Sequence, residues 1–266
     1  VNSRWLPLAF VLRCIKAGEG VTAITDRRTM PGHNQRDREE SGMALRGIVK
    51  PASAGAIGFD IATAISKAEA QAYRAKGYAF CIRYVSRTDS SRARNQTHGT
   101  PDLSSSEAQA ILDGGLALMV VQHVAGTGWT PSLPLGQDYG AKAAQFAGAA
   151  DVPPGVNLWL DLEDIPPGTP ANDIVHYCNA WFGEVAGAGY VAGVYVGFNV
   201  WLSPEQLFLN LKTRHYWRAA GNIPDIAHRG YQLFQHVLNP GKPDEFDKDV
   251  AMPDRLGGTA LWLQPI

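Results

Sequence analysis

Cysteine is scarce in this chain: three residues, Cys14, Cys81 and Cys178, far apart and odd in number. They form no CxxC pair and no Cys/His spacing of metal-ligand type, so neither a zinc site nor a disulfide framework is implied. Cys81 falls in an apolar strand-like run and Cys178 in a helix-like run, and both read as buried core thiols. The seven histidines are scattered, with no pair at ligand spacing. No Gly-rich phosphate turn follows the first predicted strand, which argues against a nucleotide-binding fold. No stretch approaches the roughly 18 to 20 apolar residues of a membrane span. The formal net charge is only −1, so no global basic field points to nucleic acid or an anionic membrane.

What is present is a 266-residue chain with 45% hydrophobic residues, enough for one sizeable core. Its charge is uneven. Residues 1–50 carry nine Lys/Arg against five Asp/Glu, leaving 15 basic and 20 acidic residues for the remainder. The basic stretch 26–46 shows little periodicity and reads as a solvated linker. The short apolar run 6–12 reads as an irregular buried segment, with a signal-peptide remnant as the alternative. Arg13 directly before Cys14 argues against a lipoprotein cleavage site. A boundary near Ala52-Ser53-Ala54-Gly55 divides the chain into an extension, 1–54, and a folded domain, 55–266.

Beyond that boundary, short apolar runs alternate with helix-like stretches. Strands are predicted over 56–62, 78–86, 116–124, 157–163, 191–197, 215–220, 231–237 and 246–252. Helices are predicted over 66–76, from 104 to 114, over 136–150, over 169–188 and from 203. Ser66 with Glu69 forms a capping box. Thr169-Pro170 reads as an N-cap and first-turn proline. Alternating β and α elements call for a parallel sheet, and eight strands call for closure. Only short loops separate the last three strands. The expected fold is therefore α/β, an irregular TIM-type (β/α) barrel with its late helices missing. A doubly wound open sheet is the rival.

The stretch 157–164 carries the most chemical information. Read with period two, Leu158, Leu160 and Leu162 share one face, while Asn157, Trp159, Asp161 and Glu163 share the other. Two acids one strand-repeat apart raise each other's pKa. A solvent-facing edge strand with ordinary surface acids is the plain alternative. In a barrel, function collects at the C-terminal strand ends. There the pattern adds Asp60 on the first strand, Tyr195 on the fifth, Gln235 on the seventh, and Asp247 with Asp249 on the eighth. Asp60 could equally be a structural acid, Tyr195 a core tyrosine and Asp249 a turn cap.

Two tasks fit converging carboxylates. Glycoside hydrolysis needs one protonated acid and one carboxylate. Glu163, crowded by Asp161, would be the acid, and Asp161 would stay ionised. The other task is a hard cation such as Mg²⁺ held by Asp161, Glu163 and Asp247 for phosphodiester chemistry. The missing His and Lys/Arg companions weigh against it, so no metal and no cofactor are expected. Aromatic residues near the strand ends, Trp129, Trp159, Trp201 and Trp217, suit stacking on sugar rings. Trp217 reads as core, and Trp129, in a Gly/Pro loop, as the ligand-facing ring.

An ordered set of segments resembles a known family. These are Gly58-Phe59-Asp60, Arg83-Tyr84, Leu160-Asp161-Leu162-Glu163, Gly193-Val194-Tyr195, Gln235 and Phe246-Asp247-Lys248-Asp249-Val250. Together they resemble the glycoside-hydrolase-like domain of the DUF1906 group, itself similar to the family 25 lysozymes (muramidases). The resemblance covers about residues 55–265. It implies a bacterial or phage cell-wall setting, export, and cleavage of the β-1,4 bond between N-acetylmuramic acid and N-acetylglucosamine in peptidoglycan. Glu163 matches the family's general acid. Asp161 matches the carboxylate that assists the substrate's own N-acetyl group. Asp60 and Asp247 match supporting acids, and Tyr84, Arg83, Tyr195, Gln235 and Trp129 are the expected substrate contacts. Asp249 stands where lysozymes usually carry Asn. A non-catalytic glycan-binding barrel is the alternative the resemblance leaves open.

Overall fold

The computed structural model describes residues 44–97, 101–126, 129–236 and 246–266. Cys14, the apolar run 6–12 and residues 26–43 of the basic stretch lie outside these residues. Among these residues ten strands are formed in chain order: β1 Gly47–Pro51, β2 Ile57–Ile61, β3 Phe80–Val85, β4 Ala117–Gln122, β5 Asn157–Leu162, β6 Val191–Val196, β7 Tyr216–Arg218, β8 Leu233–His236, β9 Asp247–Ala251 and β10 Leu261–Pro265. Six helices lie between them: α1 Lys67–Ala75, α2 Asp89–Thr97, α3 Ser105–Asp113, α4 Leu133–Ala149, α5 Ala171–Gly187 and α6 Pro204–Leu209.

Strands β2 to β9 are the eight read from the sequence, and they close into a barrel. Each pairs with the next in chain order, β4 pairs with β5, and β9 returns to β2. Among the described residues no helix follows β7 or β8. One expectation fails: the sheet is not all parallel. β9 runs antiparallel to both β8 and β2. A parallel crossover needs a dozen or more residues, and only ten separate β8 from β9. This reversal puts the first residue of β9, Asp247, directly opposite Asp60 near the end of β2.

Helix ends follow local chemistry. Ser66 and Glu69 form the predicted capping box of α1, and Ser104 caps α3. Helix α4 begins at Leu133 behind an N-cap Ser132 with proline in its first turn, three residues earlier than periodicity suggested. Helix α5 has Pro170 at its N-cap position, with no side-chain cap. Thr169, read as that cap, instead donates its hydroxyl to the Pro166 carbonyl at 2.7 Å. Helix α2 sits between the strand predicted over 78–86 and the helix predicted from 104, where no element was predicted. Its sequence is Arg/Ser-rich without an apolar stripe, so no periodicity announces it.

The barrel interior is aromatic. Trp159 and Trp217 are fully enclosed, with ring centres 6.0 Å apart. A Cβ on Gly193 would collide with the Trp159 ring, so only glycine lets that indole cross the lumen. The N-terminal end of the barrel is sealed by β10. Trp262 packs on Phe80 at 5.5 Å, and the Leu261 amide donates to Asn157 Oδ1 at 2.5 Å. β10 is held in turn by β1 over five residue pairs from Gly47↔Pro265 to Pro51↔Leu261. Residues 47–51 were read as part of the extension. They belong instead to the unit Gly42–Ile266, because their partner strand lies at the far end of the chain, where a local reading finds no signal.

Candidate active site

Period two decides which side chains enter the lumen. On β2, Phe59 turns outward onto Tyr73 of α1, ring centres 4.4 Å apart, and Asp60 turns inward, buried. On β3, Tyr84 turns inward and donates its hydroxyl to Asp60 Oδ1 at 2.6 Å. On β8, Gln235 is the hub. Its amide nitrogen donates to Asp60 Oδ2 at 2.8 Å and to Asp247 Oδ2 at 3.3 Å. Its amide oxygen accepts from the Tyr195 hydroxyl of β6 at 2.9 Å. Asp60, Asp247, Tyr84, Tyr195 and Gln235 therefore form one hydrogen-bonded group drawn from five strands.

Asp161 and Glu163 extend from β5 beside this group. Asp161 is nearly fully buried, and its Oδ1 has no hydrogen-bond partner among the described residues. Glu163 lies just past the strand end and packs against Gly197, where an added Cβ would sit 2.5 Å from its Cβ and Oε2. The backbone beyond is bent tightly: Asp164 has φ +53° and donates its amide to the Phe198 carbonyl at 3.0 Å. Asp164 is exposed, outside the lumen.

Burial dominates the electrostatics. It pushes the Glu163 carboxyl up to about 7, with Asp164 adding repulsion and the Phe198 amide opposing. It pushes Asp161 well above the usual carboxylate range, reinforced by Glu163 and Asp60 and opposed by the Val124 amide and Arg87. Asp60 is raised to about 6 by burial, against hydrogen bonds from Tyr84 and Gln235. The sequence reading left Asp161 ionised and made Asp161 the cause of the Glu163 shift. The structure reverses the emphasis: enclosure is the first cause for both, and Asp161, the more enclosed, moves far from its ordinary value.

Asp249 was named with Asp247 on the eighth strand, with a turn cap as the alternative, but was given no role in the expected site. It is fully buried, two residues from Asp247 and on the same inward face. Trp217 Nε1 donates to its Oδ1 at 2.8 Å, while Oδ2 has no donor. Burial and then Asp60 raise it strongly. His123, just past the end of β4, is the neighbour of the site that the sequence reading did not name. Its ring stacks on Tyr84 at 4.6 Å, and burial holds its pKa down at about 4, so it is neutral at pH 7.

A pH dependence of stability follows. Acids whose folded pKa is raised stabilise the fold while protonated in both states, and that contribution is lost as pH climbs through the folded value. Between about pH 4 and 7 the four raised acids, Asp60, Asp161, Glu163 and Asp249, hold more protons in the fold than in the unfolded chain, outnumbering His123 and His215, whose folded values near 4 act in the opposite sense. Stability is expected to fall by about 1.4 kcal/mol per pH unit for each proton so held. Urea midpoints measured at pH 4.5, 5.5 and 6.5 should decrease in that order, and Asp249→Asn should flatten the slope. A midpoint that rises across this interval contradicts the electrostatics described here.

Two expected substrate contacts are placed otherwise. Arg83 points out of the barrel and is fully buried between β3 and α3, bound to Glu107. It sits next to Tyr84, so it necessarily occupies the opposite face of the strand. Trp129 is half-buried against Tyr177, ring centres 4.8 Å apart, and donates to the Glu163 carbonyl at 3.1 Å. It braces the acid's backbone. The exposed rings stand elsewhere, on the loop after β6: Phe198 is 50% and Trp201 48% exposed. Trp201 Nε1 donates to the Ile165 carbonyl at 2.6 Å, tying that loop to the exit of β5. Asp161, Glu163 and Asp247 do not form the cation cage considered from sequence. Among the described residues no group of three or more His, Cys, Asp or Glu is arranged to hold a metal ion. A cleft of about 860 Å³ at the other end of the barrel, lined by Phe182, Phe208, Leu211, Lys212 and Arg214, contains none of these acids. No described helix is long and apolar enough to cross a membrane.

Comparison with known proteins adds an independent finding. The family model described as "Rv2525c-like, glycoside hydrolase-like domain" matches residues 71–240. That span includes Asp161, Glu163, Tyr195 and Gln235 and leaves out Asp60 and Asp247. The crystal structure of the Mycobacterium tuberculosis Tat-secreted protein Rv2525c in complex with L-tartrate is similar at 19% identity and a TM-score of 0.57. The match covers 75% of this chain and 96% of that one. A monoclinic form of the same protein with HEPES gives 18% identity and a TM-score of 0.54, with coverage of 75% and 96%. At such identity the likeness is one of fold. No curated protein matches the chain in sequence.

Proposed function

The chain belongs to the Rv2525c-like, glycoside hydrolase-like family, and we propose that it cleaves a β-1,4 bond of cell-wall peptidoglycan with Glu163 as the general acid. The observation that carries this reading is the pair at the exit of β5. Glu163 keeps its proton to about pH 7, as an acid that must protonate a leaving oxygen needs to. One strand-repeat away on the same face of β5, Asp161 has a buried Oδ1 with no hydrogen-bond partner among the described residues. An acetamido N–H of a bound sugar would fill that vacancy and favour the ionised carboxylate. Asp161 would then orient the acetamido oxygen toward the anomeric carbon while Glu163 protonates the departing oxygen. This substrate-assisted route stands outside the usual two-carboxylate spacing rule. Asp60, Asp247, Gln235, Tyr84 and Tyr195 support it by holding the floor of the site in one hydrogen-bonded arrangement. Exposed Phe198 and Trp201 offer faces on which sugar rings can stack. Action on such a glycan requires export, in keeping with the description of the tuberculosis relative as Tat-secreted.

Digestion of purified peptidoglycan followed by mass spectrometry tests the reading directly. New reducing ends on N-acetylmuramic acid are the expected product. Intact glycan strands after prolonged incubation would remove the hydrolase reading. One observation favours glycan binding without turnover: Asp161 is held well above the ordinary carboxylate range in the unliganded site, and a neutral acid donates hydrogen bonds to sugar hydroxyls. Strand binding without cleavage is the result that supports this second reading.

A further inference from the structure

The mouth of the barrel is acidic, yet one cation stands in it without a carboxylate partner. Arg87, just beyond β3, forms no ion pair with any described residue. Among the described residues it makes a long bond to the His123 carbonyl at 3.4 Å and lies against the Tyr139 ring, 6.0 Å from its guanidinium carbon. Neighbouring Arg92 is engaged differently, 4.0 Å from Asp102 and over the Phe146 ring at 4.8 Å. Asp102 is further occupied by the Ser86 amide and hydroxyl at 3.0 and 2.8 Å. Those bonds hold the exit of β3 in place and leave Asp102 committed away from Arg87.

Arg87 borders a notch of about 300 Å³ together with Ser91, Arg94, Asn95, His123 and Val124. None of these six residues is acidic. The Ser91 hydroxyl is spent on the Thr88 carbonyl at 2.9 Å, and His123 adds a buried Nε2 that has no partner among the described residues. The notch adjoins the candidate site, since the Val124 amide and the Arg87 charge both act on Asp161. A carboxylate carried by a bound glycan would gain no attraction from acids that burial already keeps protonated, and it would oppose any ionisation of Asp161, unless a cation met that group. A guanidinium is suited to do so in a two-pronged manner.

Building on the proposed glycosidase reading, we propose that this notch is a specificity subsite for a carboxylate carried by the sugar bound beside Asp161. It selects acidic glycans over neutral N-acetylglucosamine polymers. Two sources share that chemistry: the free lactyl ether carboxylate of a muramic acid stripped of peptide, and a carboxylate of an attached stem peptide. Arg87 supplies the charge, and the Asn95 amide, one hydrogen of which goes to Ser86 Oγ at 3.0 Å, supplies a further hydrogen bond with its second N–H.

Calorimetric titration of the Glu163→Gln chain separates binding from turnover. The probes are chitotetraose, a peptide-free tetrasaccharide alternating N-acetylglucosamine with muramic acid, and the same tetrasaccharide bearing its stem peptides. At least one acidic probe is expected to bind ten-fold or more tightly than chitotetraose, with the preference weakening as salt is added. Whichever acidic probe is preferred identifies the source of the carboxylate. Arg87→Gln should bring the ratio of affinities to about one, while Arg87→Lys should retain part of it. Circular dichroism confirms that the variants fold. Equal affinity for all three probes overturns the proposal, as does a preference that survives Arg87→Gln. If the wild type binds with this preference and never cleaves, the subsite stands and the hydrolase reading falls.

Discussion

Glu163→Gln is expected to lower peptidoglycan turnover by about 10²- to 10⁴-fold, the range general acid catalysis supplies. Glutamine keeps the size and planarity of the side chain, so the packing against Gly197 is retained and only the transferable proton is lost. The pH profile sharpens the test. Because burial raises Glu163 to about 7, wild-type activity should decline as pH rises through that value and the acid ionises. The residual activity of Glu163→Gln should lack this alkaline limb. Turnover within three-fold of wild type, or an unaltered limb, would remove Glu163 from the role of acid. Release of reducing sugar at matched protein concentration is the measurement, with unfolding midpoints compared to separate lost chemistry from lost structure.

Arg83→Ala is expected to destabilise the fold by about 3 to 5 kcal/mol, the usual result of removing one partner of a buried ion pair. Arg83 Nε lies 2.6 Å from Glu107 Oε1, and Nη2 lies 3.2 Å from Oε2. Nη1 donates to the carbonyls of Ile61 and Ala62 at 2.7 and 2.9 Å, and Nη2 to that of Pro101 at 2.9 Å. Alanine would leave Glu107 buried without its cation and three carbonyls without donors. Urea unfolding measures the loss. Replacing both partners by apolar residues, Arg83→Met with Glu107→Leu, should recover much of it. A stability change below about 1 kcal/mol accompanied by weakened glycan binding would instead return Arg83 to the substrate side, where its motif neighbour Tyr84 first suggested it belonged.

The same contrast between Arg83 and Tyr84 shows where local reading ends. Alternation along a strand separates two faces without saying which one lines the lumen. Near-continuous apolar strands buried on both sides make that choice harder. On β5 the choice was legible, because Asn157, Trp159, Asp161 and Glu163 contrast with three leucines. On β3, Arg83 and Tyr84 are both polar enough for either side, and only the position of Glu107 on α3 decides. Trp129 illustrates a second limit. A ring in a Gly/Pro loop is free to face a ligand or to brace the backbone, and its bond to the Glu163 carbonyl arises from a contact 34 residues away. The aromatic rings left exposed, Phe198 and Trp201, are those whose loop is tied down through its backbone and indole nitrogen.

Period, punctuation and composition by themselves determined the eight barrel strands, most helix starts, the missing late helices and the inward set Asp60, Asp161, Glu163, Tyr195 and Gln235. These are properties of neighbours in the chain, and each strand carries its own record of them. Tertiary structure alone decided three matters: the reversal of β9 that sets Asp247 against Asp60, the recruitment of 47–51 through β10, and the protonation of the acids. Pairing direction depends on connection length and on which edge remains open once the other strands have closed. The pKa values depend on how completely the assembled barrel excludes water. An acid's identity is written in the chain, but its charge state is set by enclosure that exists only after the strands have met.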